Sequence, residues 1–356
     1  MEAIELLEKY KKTVDQCLKS YFELKIKQAD KADPLAGEAV KMIADFTLSG
    51  GKRIRPALVY YGYLALGGKP GFEIIEASMG IELTHSFFLI HDDIIDRDET
   101  RHGVATLHEQ YKKIGQKIAP RKDNHHFGNS MAMIAGDMAA AMANEIMFNA
   151  KFPPEIIIRA LDKLQNIVYV TIPGEMLDVV LEMKGGAKEE EIMRMYEGKT
   201  SRYTFEGPLH LGAILFGAND KQLKSFSDYA LPLGKAFQIQ DDILGVFGDE
   251  QKIGKPVGSD VIEGKQTVLV ARIMEKGANE QKEIVKKYLG KRDLGKDELE
   301  LFRQAVRESG ALEYARELAK KLVGEALEAL SKIEFKNEDA KEFLGGIASY
   351  IVEREK

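Results

Sequence analysis

Disulfides are excluded at once, because the 356 residues contain a single cysteine, Cys17. The same shortage rules out a multi-cysteine zinc site and fits a reducing compartment. Also missing is any run of about 18 apolar residues, the length a membrane-spanning helix needs. The apolar stretch 131–143 is broken at Gly136 and Asp137, so no transmembrane segment is expected. The first residues, Met1-Glu2-Ala3-Ile4-Glu5, lack a basic region followed by an apolar one, so no signal peptide is expected and a cytoplasmic location is. There is no low-complexity tract and no Pro/Ser/Gly linker, which favours one large domain over residues 1–356. Basic residues are not in excess: 51 Lys and Arg face 57 Asp and Glu, a formal charge of −6. That balance excludes a non-specific nucleic-acid binder. It leaves room for a small anionic substrate held by a local basic cluster.

What is present is helical periodicity. The composition, 44% hydrophobic and 30% charged, suits a large globular core. Ile4, Leu7, Tyr10, Val14, Cys17 and Leu18 recur at three- and four-residue steps. Asp33-Pro34 reads as an N-cap with proline at the first helical position. Segments 71–97, 127–150, 154–184, 188–217, 221–247, 279–289, 296–308 and 311–332 read as helices, with Pro173-Gly174 kinking the long 154–184 segment. Alternating patterns bounded by hairpin turns are not evident. The class is all-α. Two irregular stretches stand out: a basic polar loop at 115–126, and 248–266, where Gly248, Gly254, Gly258 and Gly264 are interleaved with Lys252, Lys255 and Lys265. Glycines with spaced lysines can fold over phosphates, although a solvated connector has the same composition.

The most informative feature is a partial internal echo. Ile90-His91-Asp92-Asp93-Ile94-Ile95-Asp96 resembles Ile239-Gln240-Asp241-Asp242-Ile243-Leu244-Gly245. On a helix, Asp92 and Asp96 share a face one turn apart, and Asp93 is turned away by about 100°. His85 and Phe88 extend that stripe backwards. Like charges at this spacing repel, and the apolar flanks predict burial, so the carboxylates require a counter-charge. A divalent cation supplies one, and oxygen-only ligands favour Mg²⁺ or Mn²⁺ over zinc. A solvated acidic face explains a lone Asp-Asp pair well, but explains two pairs set in apolar runs poorly.

Anion-binding candidates accompany the acids. Gly50-Gly51-Lys52-Arg53-Ile54-Arg55-Pro56 precedes an apolar helix, where backbone N–H groups can meet an anion. Lys52 and Arg55 are spaced to face the same way, and arginine offers phosphate a bidentate fork. Arg101-His102-Gly103 follows the first acidic motif, and Lys199-Thr200 is placed at the opening of another apolar helix. Cations beside paired carboxylates suit a diphosphate bridged through metal ions.

Taken in order, the 50–56 segment, His85 with Asp92-Asp93-Ile94-Ile95-Asp96, Arg101, Lys199-Thr200, and Phe237-Gln238-Ile239-Gln240-Asp241-Asp242 continuing to Gly264-Lys265 span roughly residues 50–267. In this set the chain resembles the trans-isoprenyl diphosphate synthases, or polyprenyl synthetase family, of the short-chain farnesyl and geranylgeranyl type. The resemblance implies an all-helical isoprenoid synthase bundle with a central cavity, usually a homodimer. It implies a Mg²⁺-dependent prenyltransferase that condenses isopentenyl diphosphate head-to-tail with an allylic diphosphate (dimethylallyl, geranyl or farnesyl). By position, Lys52, Arg55 and His85 would bind isopentenyl diphosphate. Asp92, Asp96 and Asp241 would hold three Mg²⁺ ions, or Mn²⁺, on the allylic diphosphate, which Arg101, Lys199, Lys255 and Lys265 would contact. Thr200 and Gln238 would turn their oxygens to the developing allylic cation.

This sequence departs from the family pattern in three places, one of them the basic 115–126 stretch, which looks longer than the usual connection before His126-Phe127-Gly128. His102 stands where the family has an arginine that contacts isopentenyl diphosphate, so the charge there depends on pH. Gly245 stands where the second motif often ends in aspartate.

The hard step in such chemistry is breaking the allylic C–O bond, with water excluded so that the cation survives; closure of the 248–266 stretch is expected to help. No motif side chain is an obvious base, which leaves the released diphosphate. In the family, aromatic rings at Phe87 and Phe88 imply a shallow cavity and C15–C20 products, although phenylalanine is most often simply core. Competing readings are weaker. A phosphohydrolase built on His91-Asp92 lacks converging histidines. Glu82-Leu83-Thr84-His85 fits a di-iron Glu-x-x-His motif without a second copy. A non-catalytic regulatory subunit would not need Asp92, Asp96, Asp241 and Lys265 intact, and a terpene cyclase would lack the 51–56 segment.

Overall fold

In a computed structural model, residues 2–248 and 258–353 are described. Apart from the connecting turns and one short hairpin they are helical. Helices α1 (Glu2–Ala32), α2 (Pro34–Leu48), α3 (Ile54–Ala65) and α4 (Phe72–Asp96) lead to strands β1 (Thr100–Arg101) and β2 (Val104–Ala105). Then come α5 (Leu107–Ile118), α6 (Asn124–Phe148), α7 (Pro154–Lys184), α8 (Glu189–Tyr196), a π-helix (Glu197–Glu206), α9 (Gly207–Phe216) and α10 (Asp220–Phe247). The chain ends in α11 (Ser259–Glu263), α12 (Val268–Lys276), α13 (Asn279–Tyr288), α14 (Lys296–Glu308), α15 (Ala311–Ser331) and α16 (Glu338–Glu353). The all-α class is as the periodicity predicts.

The contacts group the residues into two compact units. The first comprises Met1–Leu164 with Leu211–Gly217, and the second Gln165–His210 with Ala218–Lys356.

In the first unit, α1 buries Ala3, Leu7, Tyr10, Val14, Leu18 and Phe22, a stripe one residue off the predicted start at Ile4. Asp33 caps α2 as expected, its carboxylate accepting from the Leu35 and Ala36 amides (2.8 and 3.3 Å), with Pro34 in the first turn. Helix α4 packs along α6. The α6 face is built from small residues, Ala132, Ala135, Ala139 and Ala143, all buried, so the two axes can approach closely.

Two expectations for this unit need correction. A hairpin does exist: Thr100 pairs with Ala105 and Arg101 with Val104. Its two-residue loop, His102-Gly103, has φ of 51° and 77°, the left-handed pair that matches strand twist. Histidine hides that signal, where Asn-Gly would have announced it. The basic loop at 115–126 is also shorter than expected, because Gly115 to Ile118 finish α5 and α6 begins at Asn124, capped by Asp123.

In the second unit, α10 packs on α15, whose Ala315, Ala319 and Ala326 are buried. The Tyr229 hydroxyl on α10 donates to the Leu344 carbonyl of α16 (2.7 Å), satisfying a phenol deep in the core. Helix α7 runs through Pro173 without a break in its assigned span. The 188–217 segment is not one α-helix: α8 passes into the π-helix and then α9.

Candidate active site

In the first unit the basic segment splits by direction. Arg53, at the start of α3 with φ 58°, turns inward. Its guanidinium donates to Asp15 (2.7 Å), Glu82 (2.6 Å) and the Thr47 carbonyl (2.7 Å), and only 4% of the residue is exposed. Losing either acid would leave the buried guanidinium with a single carboxylate partner, which destabilises the fold. Arg53 therefore anchors the segment, and Lys52 is left exposed. Arg55 donates through Nη1 to His85 Nε2 (3.0 Å), so that nitrogen is an acceptor and the ring is neutral. Burial first, then the neighbouring charges of Arg55 and Arg101, hold the His85 pKa well below its ordinary value.

The acids at the end of α4 also divide. Asp93 is wholly buried and takes Arg101 Nε at 2.5 Å, while Arg101 Nη2 reaches Asp98 at 3.0 Å. Arg97, in the left-handed region at φ 61°, ends the helix there. Asp92 and Asp96 remain half-exposed, one turn apart. Arg101 is thus placed by the hairpin and by Asp93. His102 is exposed at the hairpin tip. The ring of Phe88 is buried and that of Phe87 half-buried, with centroids 4.8 Å apart. His91 Nε2 lies 3.1 Å from the Met133 carbonyl of α6, so this ring nitrogen of the hydrolase reading is engaged by the backbone. Glu82 is spent on Arg53, which removes the di-iron reading.

In the second unit, Lys199 and Thr200 lie within the π-helix, a correction to their expected place at a helix opening. Lys199 reaches Glu175 and Asp178 of α7, each at 2.8 Å. Lys265 approaches the same Asp178 at 3.4 Å. Burial pushes the Asp178 carboxyl up, but Lys199 and Lys265 outweigh it and hold the pKa below the ordinary carboxylate value. This convergence depends on glycine: a Cβ on Gly174 would meet the Lys199 backbone nitrogen at 2.3 Å. On the α10 side, a Cβ on Gly234 would meet Ser201 Cα at 2.3 Å, and Lys235 bonds Glu197 (2.7 Å).

A polar chain then crosses to α10. The Thr200 hydroxyl donates to Gln238 Oε1 (2.6 Å), Gln238 Nε2 donates to Asp242 Oδ1 (2.9 Å), and the Tyr196 hydroxyl donates to Asp242 Oδ2. Tyr196 in turn accepts from the Val268 amide (3.1 Å). Asp242 is buried, and burial raises its pKa well above the usual carboxylate range, against the hydrogen bond from Tyr196. Asp241, beside it, is only half-buried. Each Asp-Asp pair therefore has one structural member, Asp93 or Asp242, and one accessible member. Lys255 lies outside the described residues, as does most of the glycine-lysine stretch.

Asp178, Glu175 and Tyr196 were not found by sequence reasoning. They lie on helices that carry none of the motifs, and no local pattern marks them. The accessible carboxylates Asp92, Asp96 and Asp241 offer only hard oxygen donors, a set suited to Mg²⁺ or Mn²⁺. Among the described residues no three such side chains close into a cage. Mg²⁺ commonly keeps waters and shares carboxylates with substrate phosphates, so one or two accessible aspartates suffice for a fit.

Comparison with known proteins gives the same direction. The sequence profile of a family described as polyprenyl synthetase matches residues 38–307. The geranylgeranyl diphosphate synthase of Sulfolobus acidocaldarius is 34% identical over 310 residues, covering 86% of this chain and 88% of that protein. A short chain isoprenyl diphosphate synthase of Methanothermobacter thermautotrophicus is 32% identical over 358 residues, covering 100% and 99%. A crystal structure of geranylgeranyl pyrophosphate synthase from Corynebacterium glutamicum, complexed with isoprenyl diphosphate and magnesium, superposes with a TM-score of 0.92 at 30% identity, over 98% of this chain and 99% of that one.

Proposed function

The chain belongs to the polyprenyl synthetase family, and from that premise we propose that it condenses isopentenyl diphosphate with an allylic diphosphate to give a short-chain trans-prenyl diphosphate. The observation that carries the reading is the division of labour at the end of α4. Asp93 is consumed by Arg101, while Asp92 and Asp96 stay accessible one turn apart.

Lys52, Arg55 and His85 take isopentenyl diphosphate in this reading. Neutral His85, accepting from Arg55, can still donate through its other ring nitrogen. His102 offers that substrate a weaker, pH-dependent contact than arginine would. Arg101, Lys199, Lys255 and Lys265 take the allylic diphosphate, with Asp92, Asp96 and Asp241 holding Mg²⁺. Bound Mg²⁺ neutralises charge on the departing diphosphate. The allylic C–O bond breaks and its electron pair leaves with diphosphate. The isopentenyl double bond then attacks the allylic carbon, and a proton is lost. Thr200 and Gln238 present oxygen lone pairs to the positive charge, their orientation fixed by the chain to Asp242. The proton passes to the released diphosphate, since His85 Nε2 is committed to Arg55. Phe87 and Phe88 set a C15–C20 limit on the product. We further propose that residues 1–356 act as one catalytic domain, with a central cavity, in a cytoplasmic homodimer; no described helix is long and apolar enough to cross a membrane.

The test is incubation of the purified protein with Mg²⁺, labelled isopentenyl diphosphate and each allylic starter in turn, followed by product chromatography. C15 or C20 prenyl diphosphates are expected. No elongation from any starter would reject the reading in favour of a non-catalytic subunit.

A further inference from the structure

The basic stretch at 115–126 takes no part in the site described above. Helix α5 packs on α6 and buries Leu107, Tyr111 and Gly115. The fit is close at its end, where a Cβ on Gly115 would meet Asn124 Oδ1 at 2.6 Å and the Phe127 ring at 2.7 Å. The same stripe continues at helical spacing to Ile118, the last residue of α5. There the cover stops: Ile118 is 75% exposed, and Pro120 beyond it is exposed as well.

Cations flank that apolar end. Lys113 and Lys117 lie one turn apart on α5, and Arg121 and Lys122 follow in the connection to α6. All four are exposed, and none forms an ion pair with a carboxylate among the described residues. Lys112 differs, being paired with Glu109 at 2.7 Å. The neighbouring acid, Asp123, turns to the start of α6 and accepts from the His126 amide (2.9 Å). The cluster is thus a positive patch on a chain whose formal charge is −6.

Its place in the first unit follows from α4 and α6, which run antiparallel. A Cβ on Gly80 would meet the Ala143 carbonyl at 3.3 Å, whereas His91, later in α4, meets the Met133 carbonyl, earlier in α6, at 3.1 Å. The beginning of α6, with the basic connection before it, therefore lies toward the end of α4 that bears Asp92 and Asp96.

We propose that Lys113, Lys117, Ile118, Arg121 and Lys122 form a docking surface for an anionic phospholipid bilayer. Ile118 enters the headgroup region, and the lysine and arginine stems lie beside it with their charges at the lipid phosphates. Each such cation contributes about fivefold to binding near an anionic membrane, so four contribute roughly 500-fold. A nucleic acid would answer the charge but give the exposed isoleucine nothing to bury against. Docking here sets the acidic end of α4 toward the bilayer, where a short-chain prenyl diphosphate, an apolar tail on a charged head, partitions. The benefit rests on the condensation reading above; the binding does not.

The test is flotation of the purified protein with phosphatidylglycerol–phosphatidylcholine vesicles and with phosphatidylcholine vesicles alone, across a salt series and without substrate. Binding to the anionic vesicles only is expected, weakening as salt rises. Lys117→Gln with Arg121→Gln should weaken binding about 25-fold and flatten its salt dependence. Ile118→Ser should weaken it about tenfold and leave the salt dependence intact. Lys117→Arg with Lys122→Arg should bind as the wild type does. Exposed side chains are changed in each case, so the Tm should hold; should a variant lower it, the lipid and salt dependence of the wild type decides. Equal binding to both vesicle types, binding to neither, or undiminished binding by the glutamine variant would overturn the proposal. Undiminished binding by Ile118→Ser would also overturn it, leaving a general polyanion site. Because no substrate is present, these outcomes stand whether or not the protein proves to elongate allylic starters.

Discussion

Asp178 is shared by two lysines from distant parts of the chain, Lys199 at 2.8 Å and Lys265 at 3.4 Å. Its side chain is 6% exposed, so the pairing is made in a poorly solvated setting where a missing partner is costly. The two lysines proposed to meet the allylic diphosphate are therefore joined by an acid that no motif contains.

Replacing Asp178 by asparagine should cost about 2 kcal/mol of stability at neutral pH, less than a fully buried pair because Lys199 is partly exposed. The folded-state pKa lies below the ordinary carboxylate value, so the wild-type advantage is complete above about pH 5 and disappears as pH falls through the folded pKa. Tm measured from pH 7 down to pH 3 should show the two proteins converging in acid. Parallel curves would remove the ion pair from the explanation.

Asp92→Ala and Asp93→Asn should fail in different ways. Asp92 is half-exposed, so its variant should keep a wild-type Tm and lose nearly all turnover. Asp93 is buried against Arg101, so its variant should lose about 3–5 kcal/mol, read as a lower Tm. Near-wild-type activity in purified Asp92→Ala would argue against its metal role.

Phe87→Ala with Phe88→Ala should lengthen the product. The buried Phe88 ring packs against Phe87 at 4.8 Å, so the pair is removed together to open the space. Chromatography of the products should show chains beyond those of the wild type. An unchanged distribution would mean the rings serve only the core.

Gly174→Ala sets two effects against each other. Helix propensity alone favours alanine by about 1 kcal/mol. The added Cβ, however, would press on the Lys199 backbone nitrogen at 2.3 Å, and overpacking of that kind costs about 1–3 kcal/mol. Sterics should win: the Tm falls, and KM for the allylic substrate rises as Lys199 shifts from Asp178. A raised Tm would show that α7 can move away freely.

Local sequence was enough for whatever depends on neighbours a turn apart. The period of α1, the Asp33-Pro34 start of α2, the burial of α4 and the one-turn spacing of Asp92 and Asp96 follow from side chains repeating along a helix. So does the list of motif residues, because the family pattern is written along the chain. The hairpin escaped notice because His102-Gly103 adopts a left-handed pair without the usual asparagine. The π-helix escaped because its register shift leaves no mark on apolar spacing.

Sequence by itself determined the all-helical class, the two acidic motifs and the family. Only the tertiary structure decided which member of each Asp-Asp pair is buried, that Arg53 turns inward while Lys52 is exposed and Arg55 meets His85, that Asp178 gathers the lysines, and that Asp260 stands at Gly245. Each of those depends on a partner far away in the chain. A charged group's role is set by which opposite charge reaches it and how much water remains, and neither is encoded in its immediate neighbours.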